Sequence, residues 1–138
     1  MNRIKAKTLK GVWEYGYYIR TDLAKIFHHY IMPQYASDIY GIEIMPETIC
    51  RESKFRDSNH TIIYENDIVE LLNNQNQLIQ CVCKYGRVIR DTKSDIEVEI
   101  EGFYFENLET NIKSFPIVNN YCGKHDTEIM KIIGNILD

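Results

Sequence analysis

The sequence predicts a mainly β fold, or an α+β one, built from antiparallel strands, and three observations carry the expectation. Ten Tyr and five Phe stand against a single Trp, and tyrosine favours half-buried strand surfaces where the ring packs and the hydroxyl stays wet. Residues 95–101 alternate strictly, which places Ile96, Val98 and Ile100 inward and Asp95, Glu97, Glu99 and Glu101 outward, as in a strand with one buried face. The remaining hydrophobic segments are short and separated by turn-forming residues.

Residues 3–9 and 12–19 flank Lys10-Gly11 and read as a β-hairpin. Gly16 lies inside its second strand, which marks a bulge or a close backbone approach. Residues 21–25 suggest a turn of helix, residues 26–32 another strand and residues 33–40 a loop. Residues 41–45 alternate until Pro46 stops them. From 46 to 64 the polar residues argue for a surface excursion, with Asp57, Ser58 and Asn59 forming a turn.

Strands follow at 67–72, 78–85 and 87–89, the first two joined by the polar hairpin loop 73–77. Gly102 turns the chain from the acidic strand into Phe103-Tyr104-Phe105, and residues 107–114 have the polarity of a short helix. Ile129 to Leu137 reads as a closing strand bent at Gly134. The acidic face of residues 95–101 reads as a solubility device on an edge, with recognition of a basic partner as the alternative.

At 138 residues, with 44% hydrophobic and 26% charged side chains, the chain suits one domain or two small subdomains with a real core. Sixteen basic against twenty acidic groups give a net charge of −4, which disfavours general nucleic-acid binding. No apolar run approaches the roughly 18 residues that span a bilayer, and the N-terminus has no signal-like apolar region. A cytoplasmic protein is expected. Cys50, Cys81, Cys83 and Cys122 form no CxxC pair and have no His at zinc-finger spacing. They are expected to be reduced core thiols, with Cys81 and Cys83 on one strand face alongside Ile79 and Tyr85.

Catalytic and cofactor motifs are absent: no GxxxxGK[ST], HExxH or GxGxxG pattern occurs. His28, His29, His60 and His125 are potential bases for the thiols, but none sits in a local motif. Adjacent His28 and His29 would point to opposite strand faces and could not share a metal. Asp67 reads as an acceptor for turn N–H groups rather than as an acid–base partner of Glu65. No enzyme, metal or cofactor is therefore expected. Arg51, Lys54 and Arg56 with Phe55 and His60 form one place where cations and an aromatic could meet a nucleic acid or an acidic protein; Lys84, Arg87, Arg90 and Lys93 form a second. The competing reading of the first is a solvated loop with a hydrophobic anchor.

Three blocks resemble the YopX family encoded by phages, prophages and other mobile elements. Gly11-Val12-Trp13-Glu14-Tyr15-Gly16-Tyr17 looks like its G-x-W-x-x-G-Y opening. The stretch from Ser53 to Val69, which contains Asp57, Asn59, Tyr64, Glu65 and Asp67, is similar to a family pattern close to T-G-L-K-D-K-N-G-K-E-I-Y-E-G-D-I-V and is preceded by Pro46-Glu47-Thr48. Ile132-Ile133-Gly134-Asn135-Ile136 resembles its terminal V-I-G-N-I. Lys54, His60 and Asn66 stand where the pattern has glycine, so any positive φ there must be met by side chains that tolerate it less well, Asn best among them.

The polar excursion divides the chain into an N-terminal β-rich subdomain over 1–50, a long connecting loop over 51–66 and a C-terminal subdomain over 67–138, together one YopX-like unit. The resemblance implies that the C-terminal part is an SH3-like barrel and that the protein tends to form homo-oligomers. The function expected on these grounds is that of a non-enzymatic accessory protein that binds an unidentified protein partner and itself. An SH3-like nucleic-acid binder using the two basic loops is the alternative.

Overall fold

A computed structural model of the protein describes residues 3–36, 40–73, 75–116 and 126–138. Cys122 and His125 lie outside them, as do 37–39 of the expected loop and Asn74 of the polar hairpin. The fold is mainly antiparallel β. Its strands are β1 (Ile4–Lys7), β2 (Trp13–Leu23), β3 (Ile26–Pro33), β4 (Ile42–Glu43), β5 (Cys50–Arg56), β6 (Ile62–Tyr64), β7 (Asp67–Leu72), β8 (Leu78–Asp91), β9 (Glu97–Asn107), β10 (Lys113–Ser114) and β11 (Lys131–Asn135). The chain divides into two compact units, Met1–Glu52 and Ser53–Asp138.

In the first unit the strands run in the order β4-β3-β2-β1 and then the start of β5, whose Cys50 and Arg51 pair with Lys5 and Ile4. Ile4, Ala6, Ile31 and Ile44 are buried together, with Tyr18, Ile42 and Ile49 packed against them. Thr48, in the single-turn 3-10 helix that Pro46 opens, accepts the Lys7 N–H at 2.8 Å and donates to the Met45 carbonyl at 2.6 Å. Gly16 is a close approach: a Cβ there would lie 2.0 Å from the Met32 carbonyl oxygen.

The second unit begins inside β5, whose neighbour beyond the division is β6. Its other sheet runs β10-β9-β8-β7-β11, and among the described residues the outer strands β10 and β11 do not pair with each other. Ile63, Val69, Cys81, Cys83, Phe105 and Met130 form its core, with Phe55, Leu71, Ile79, Phe103 and Ile132 packed around them. Cys81 and Cys83 thus take the expected inward face of one strand. Burial pushes the Cys81 thiol above its ordinary value, which favours the protonated form.

One hairpin device recurs. At Thr8, Asp57, Asn73 and Thr92 the backbone N–H bonds the carbonyl four residues on, and the carbonyl receives the N–H three residues on. The fourth residue of each turn has positive φ: Gly11, His60, Asn76 and Asp95. This is the three-residue turn closed by a left-handed residue. In each case the first side chain accepts loop N–H groups: Thr8 from Lys10 and Val12, Asp57 from Asn59 and Thr61, Asn73 from Gln75 and Gln77, Thr92 from Ile96. Asn66, which like His60 stands where the resembling pattern has glycine, also has positive φ, whereas Lys54 lies in β5 and does not.

Several expectations are corrected. Residues 21–25 are not helical: β2 runs through Leu23, and Ala24 and Lys25, both at positive φ, make a two-residue hairpin turn. Residues 51–66 are not a connecting loop but β5, a tight turn and β6. Their polar side chains alternate, so that Ser53 and Asp57 point inward and are satisfied by hydrogen bonds, while Lys54 and Arg56 point out. Gly102 makes no turn, since it sits mid-strand opposite Gly86, and residues 78–91 are one strand rather than two. Residues 107–114 form a turn capped by Asn107, whose Oδ1 accepts the Glu109 and Thr110 N–H groups, followed by β10. Ile96 and Val98 are exposed rather than inward, at the end of the β8–β9 hairpin where β9 pairs only with β8.

Gly16→Ala drives a methyl into the β3 backbone and is expected to lower stability by about 1–3 kcal/mol. Chemical denaturation would measure the loss, and an unchanged midpoint would contradict the close approach.

Candidate functional site

The residues singled out between Ser53 and Val69 meet those singled out near the C-terminus. Asp57 is buried at the start of the β5–β6 turn. Its Oδ1 accepts the N–H groups of Asn59 and Thr61, both at 2.9 Å, and its Oδ2 accepts the Ile132 N–H at 3.1 Å. The Ser58 N–H donates to the Met130 carbonyl at 2.7 Å. The turn is therefore fastened to β11 across 75 residues of sequence.

A second buried carboxylate does the same for the β6–β7 turn. Asp67 accepts the Tyr64 N–H at 2.8 Å through Oδ2 and the Asn135 Nδ2 at 3.0 Å through Oδ1. Asn135 Nδ2 also donates to the Glu65 carbonyl at 3.2 Å, and its Oδ1 accepts the Leu137 N–H at 2.9 Å. Asn66, between them, donates its N–H to the Cys83 carbonyl at 2.7 Å and accepts the Ile136 N–H at 2.9 Å. Gly134 is where the β11–β7 register shifts, which is the expected bend.

Both carboxylates are consumed by N–H donors. Hydrogen bonds of this kind hold a buried carboxylate in place and fix the turn that carries it. Among the described residues no group of three or more His, Cys, Asp and Glu is placed to hold a metal. Cys50 donates its thiol to the Thr48 carbonyl. His29 stacks on Tyr18 and hydrogen-bonds its hydroxyl through Nδ1, while His28 stacks on Tyr30, so the two imidazoles take separate partners.

The cationic groups are placed as follows. On β5, Lys54 and Arg56 face solvent, Phe55 packs on the core from the other side, and Arg56 Nη1 donates to the His60 carbonyl at 2.8 Å. Arg51 falls in the first unit and the others in the second. Lys84 pairs with Glu106 at 3.4 Å, and Arg87 with Glu99 and Glu101 at 3.2 and 3.6 Å. Arg90 donates to the Lys113 carbonyl, and Lys93 lies exposed in the β8–β9 turn. Carboxylates thus neutralise two of the four cations of the second group. Trp13 is bound up locally, with Lys5 and Lys7 Nζ 4.8 and 5.3 Å from its ring centre.

Two surfaces were not found by reading residues. β2 pairs with β1 only to Gly16, and β3 is held on its other side by β4 at Tyr30 and Ile31 and by the Ile44 N–H on the His29 carbonyl, so residues 21–23 and 26–28 form a two-stranded arm. Leu23, Ile26 and Phe27 at its end are 71%, 60% and 50% exposed. In the second unit β7 leaves β8 at Val82 and β10 touches β9 only at Phe105 and Glu106, so residues 87–91 and 97–101 form another such arm. Ile89 and Ile96 there are each 61% exposed. The first arm was missed because its Ala24-Lys25 turn carries none of the residues that usually mark one.

Comparison of the chain with family models, with curated proteins and with solved structures finds no match. Among the described residues no helix is long and apolar enough to cross a membrane.

Asp57→Ala removes the acceptor of three N–H groups and is expected to cost about 3–5 kcal/mol. Asp57→Asn, whose single oxygen can keep the Asn59 and Thr61 bonds, should lose about half as much. Denaturant titration of both variants checks the order. His60→Gly relieves the positive φ and is expected to stabilise by up to about 1 kcal/mol; a loss of stability would mean that the imidazole itself contributes.

Proposed function

We propose that this chain is a non-enzymatic accessory protein of the YopX-like kind, from a phage, prophage or mobile element, acting in the cytoplasm through protein–protein contact and self-association. In this reading the second unit is a variant of an SH3-like barrel. The supporting observation is the pair of two-stranded arms with exposed apolar residues at their ends. A two-stranded ribbon is marginal in water by itself, and large apolar side chains clustered at its end are the material of an interface core. Covering them with protein removes that apolar surface from water.

The nucleic-acid alternative draws less support. Lys84 and Arg87 are matched by glutamates on the same sheet, and the chain carries a net charge of −4, so the field around these cations is weak for a phosphate backbone.

Sedimentation or light scattering over a concentration series should reveal assembly. Ile26→Lys and Ile96→Lys, at exposed positions, should reduce it while changing stability by no more than about 0.5 kcal/mol. A strictly monomeric protein at every concentration would overturn the proposal.

A further inference from the structure

The outer edge of β8 carries a self-complementary row. Among the described residues, 87–91 pair with no strand but β9, which leaves that stretch of edge for another chain. The same residues 87–90 line a groove of about 450 Å³ with Asn111, Ile112 and Lys113, which lie towards β10 on the β9 side of the sheet. Two antiparallel copies of Arg87-Val88-Ile89-Arg90-Asp91, centred on Ile89, place Arg87 opposite Asp91 twice and Ile89 opposite itself. All three side chains lie on one face, since they alternate along the strand.

We propose that a second copy of this chain pairs with the first through this edge, β8 against β8 in antiparallel two-fold register about Ile89. This rests on the self-association proposed above and names its surface. Opposite charges and apolar groups facing each other across strands are favourable, and like charges are not. A two-fold contact requires one patch to match itself, and the row does so. Two other arm edges match less well. β9 paired on itself about Glu99 would set Glu97 against Glu101 and Glu99 against Glu99. β2 paired about Thr21 sets Arg20 against Asp22, but has a threonine in place of the exposed isoleucine at its centre. Arg87 remains available because its bridges to Glu99 and Glu101 are exposed, its side chain being 68% accessible, and such pairs hold weakly.

The test uses the full chain and complementary charge reversals. Asp91→Arg sets arginine against arginine twice, and Arg87→Asp sets aspartate against aspartate twice. Each alone should weaken self-association at least about tenfold. Mixed together they restore both pairs, and a one-to-one heterodimer should form with affinity near that of the wild type. Because Arg87→Asp also removes the bridges within the arm, Ile89→Lys serves as a second variant that keeps them; it should weaken association at least as much. If the wild type assembles and the reversals assemble equally well, the β8 edge is not the interface, although self-association stands. If the reversals fail alone and also fail when mixed, the register is wrong. If the wild type is monomeric at every concentration, both this inference and the reading beneath it fall.

Discussion

The second unit depends on two buried carboxylates meeting backbone and amide N–H groups from distant parts of the chain. Burying an unpaired charge is prohibitive, so a buried aspartate enforces whatever geometry brings it donors. Asp57 needs Ile132, and Asp67 needs Asn135. The short strand β11 is therefore placed from both ends: its Ile132 amide by the β5–β6 turn, and its Asn135 side chain by the β6–β7 turn. Hydrophobic packing by Met130 and Ile132 then closes the core over Ile63 and Val69. This explains why the Ser53 to Val69 stretch and the terminal Ile132 to Ile136 stretch stand out together in the sequence: each supplies what the other leaves unsatisfied.

The same constraint fixes what these side chains do in the fold. Asp57 and Asp67 serve as acceptors for donors in their own turns and on β11, and the thiols of Cys50, Cys81 and Cys83 are buried. Exposed apolar side chains lie instead near the ends of the β2–β3 and β8–β9 hairpins, at Leu23, Ile26, Phe27, Ile89 and Ile96.

Much of this was legible and some was not, for identifiable reasons. The first hairpin, the approach at Gly16, the inward Cys81 and Cys83 and the bend at Gly134 follow from patterns that local geometry obeys directly. Polarity misled where it was mistaken for exposure: Ser53 and Asp57 are polar because they accept or donate inside, so a strand looked like a loop. Alternation misled differently. It reports that residues 95–101 have two unlike faces, but not that either face is covered, and here Ile96 and Val98 belong to an arm that has left the sheet. Turn chemistry was partly hidden too, because only one of the four left-handed positions, Gly11, is a glycine; His60, Asn76 and Asp95 fill the others. The side chain that opens each turn, Thr8, Asp57, Asn73 or Thr92, is the more dependable signal, since it must accept the loop N–H groups whatever follows.

The glycine pair within the second arm gives it a separate energetic character. Gly86 lies opposite Gly102 at the point where β8 and β9 run on beyond β7. A Cβ at Gly102 would meet nothing within 4 Å, and one at Gly86 would meet only the Tyr104 ring, at 3.8 Å, so close packing does not demand glycine at either position. A pair without side chains adds no cross-strand contact. On the core side Tyr85 meets Phe103 edge to face at 5.0 Å. On the far side Val88 opposite Ile100 and the exposed Arg87 bridges hold the ribbon together. Beyond the glycines the arm is tied back to its unit by other means: Val88 is buried and Arg90 donates to the Lys113 carbonyl, so contact with residues 111–113 makes up for the cross-strand contact that the glycine pair lacks.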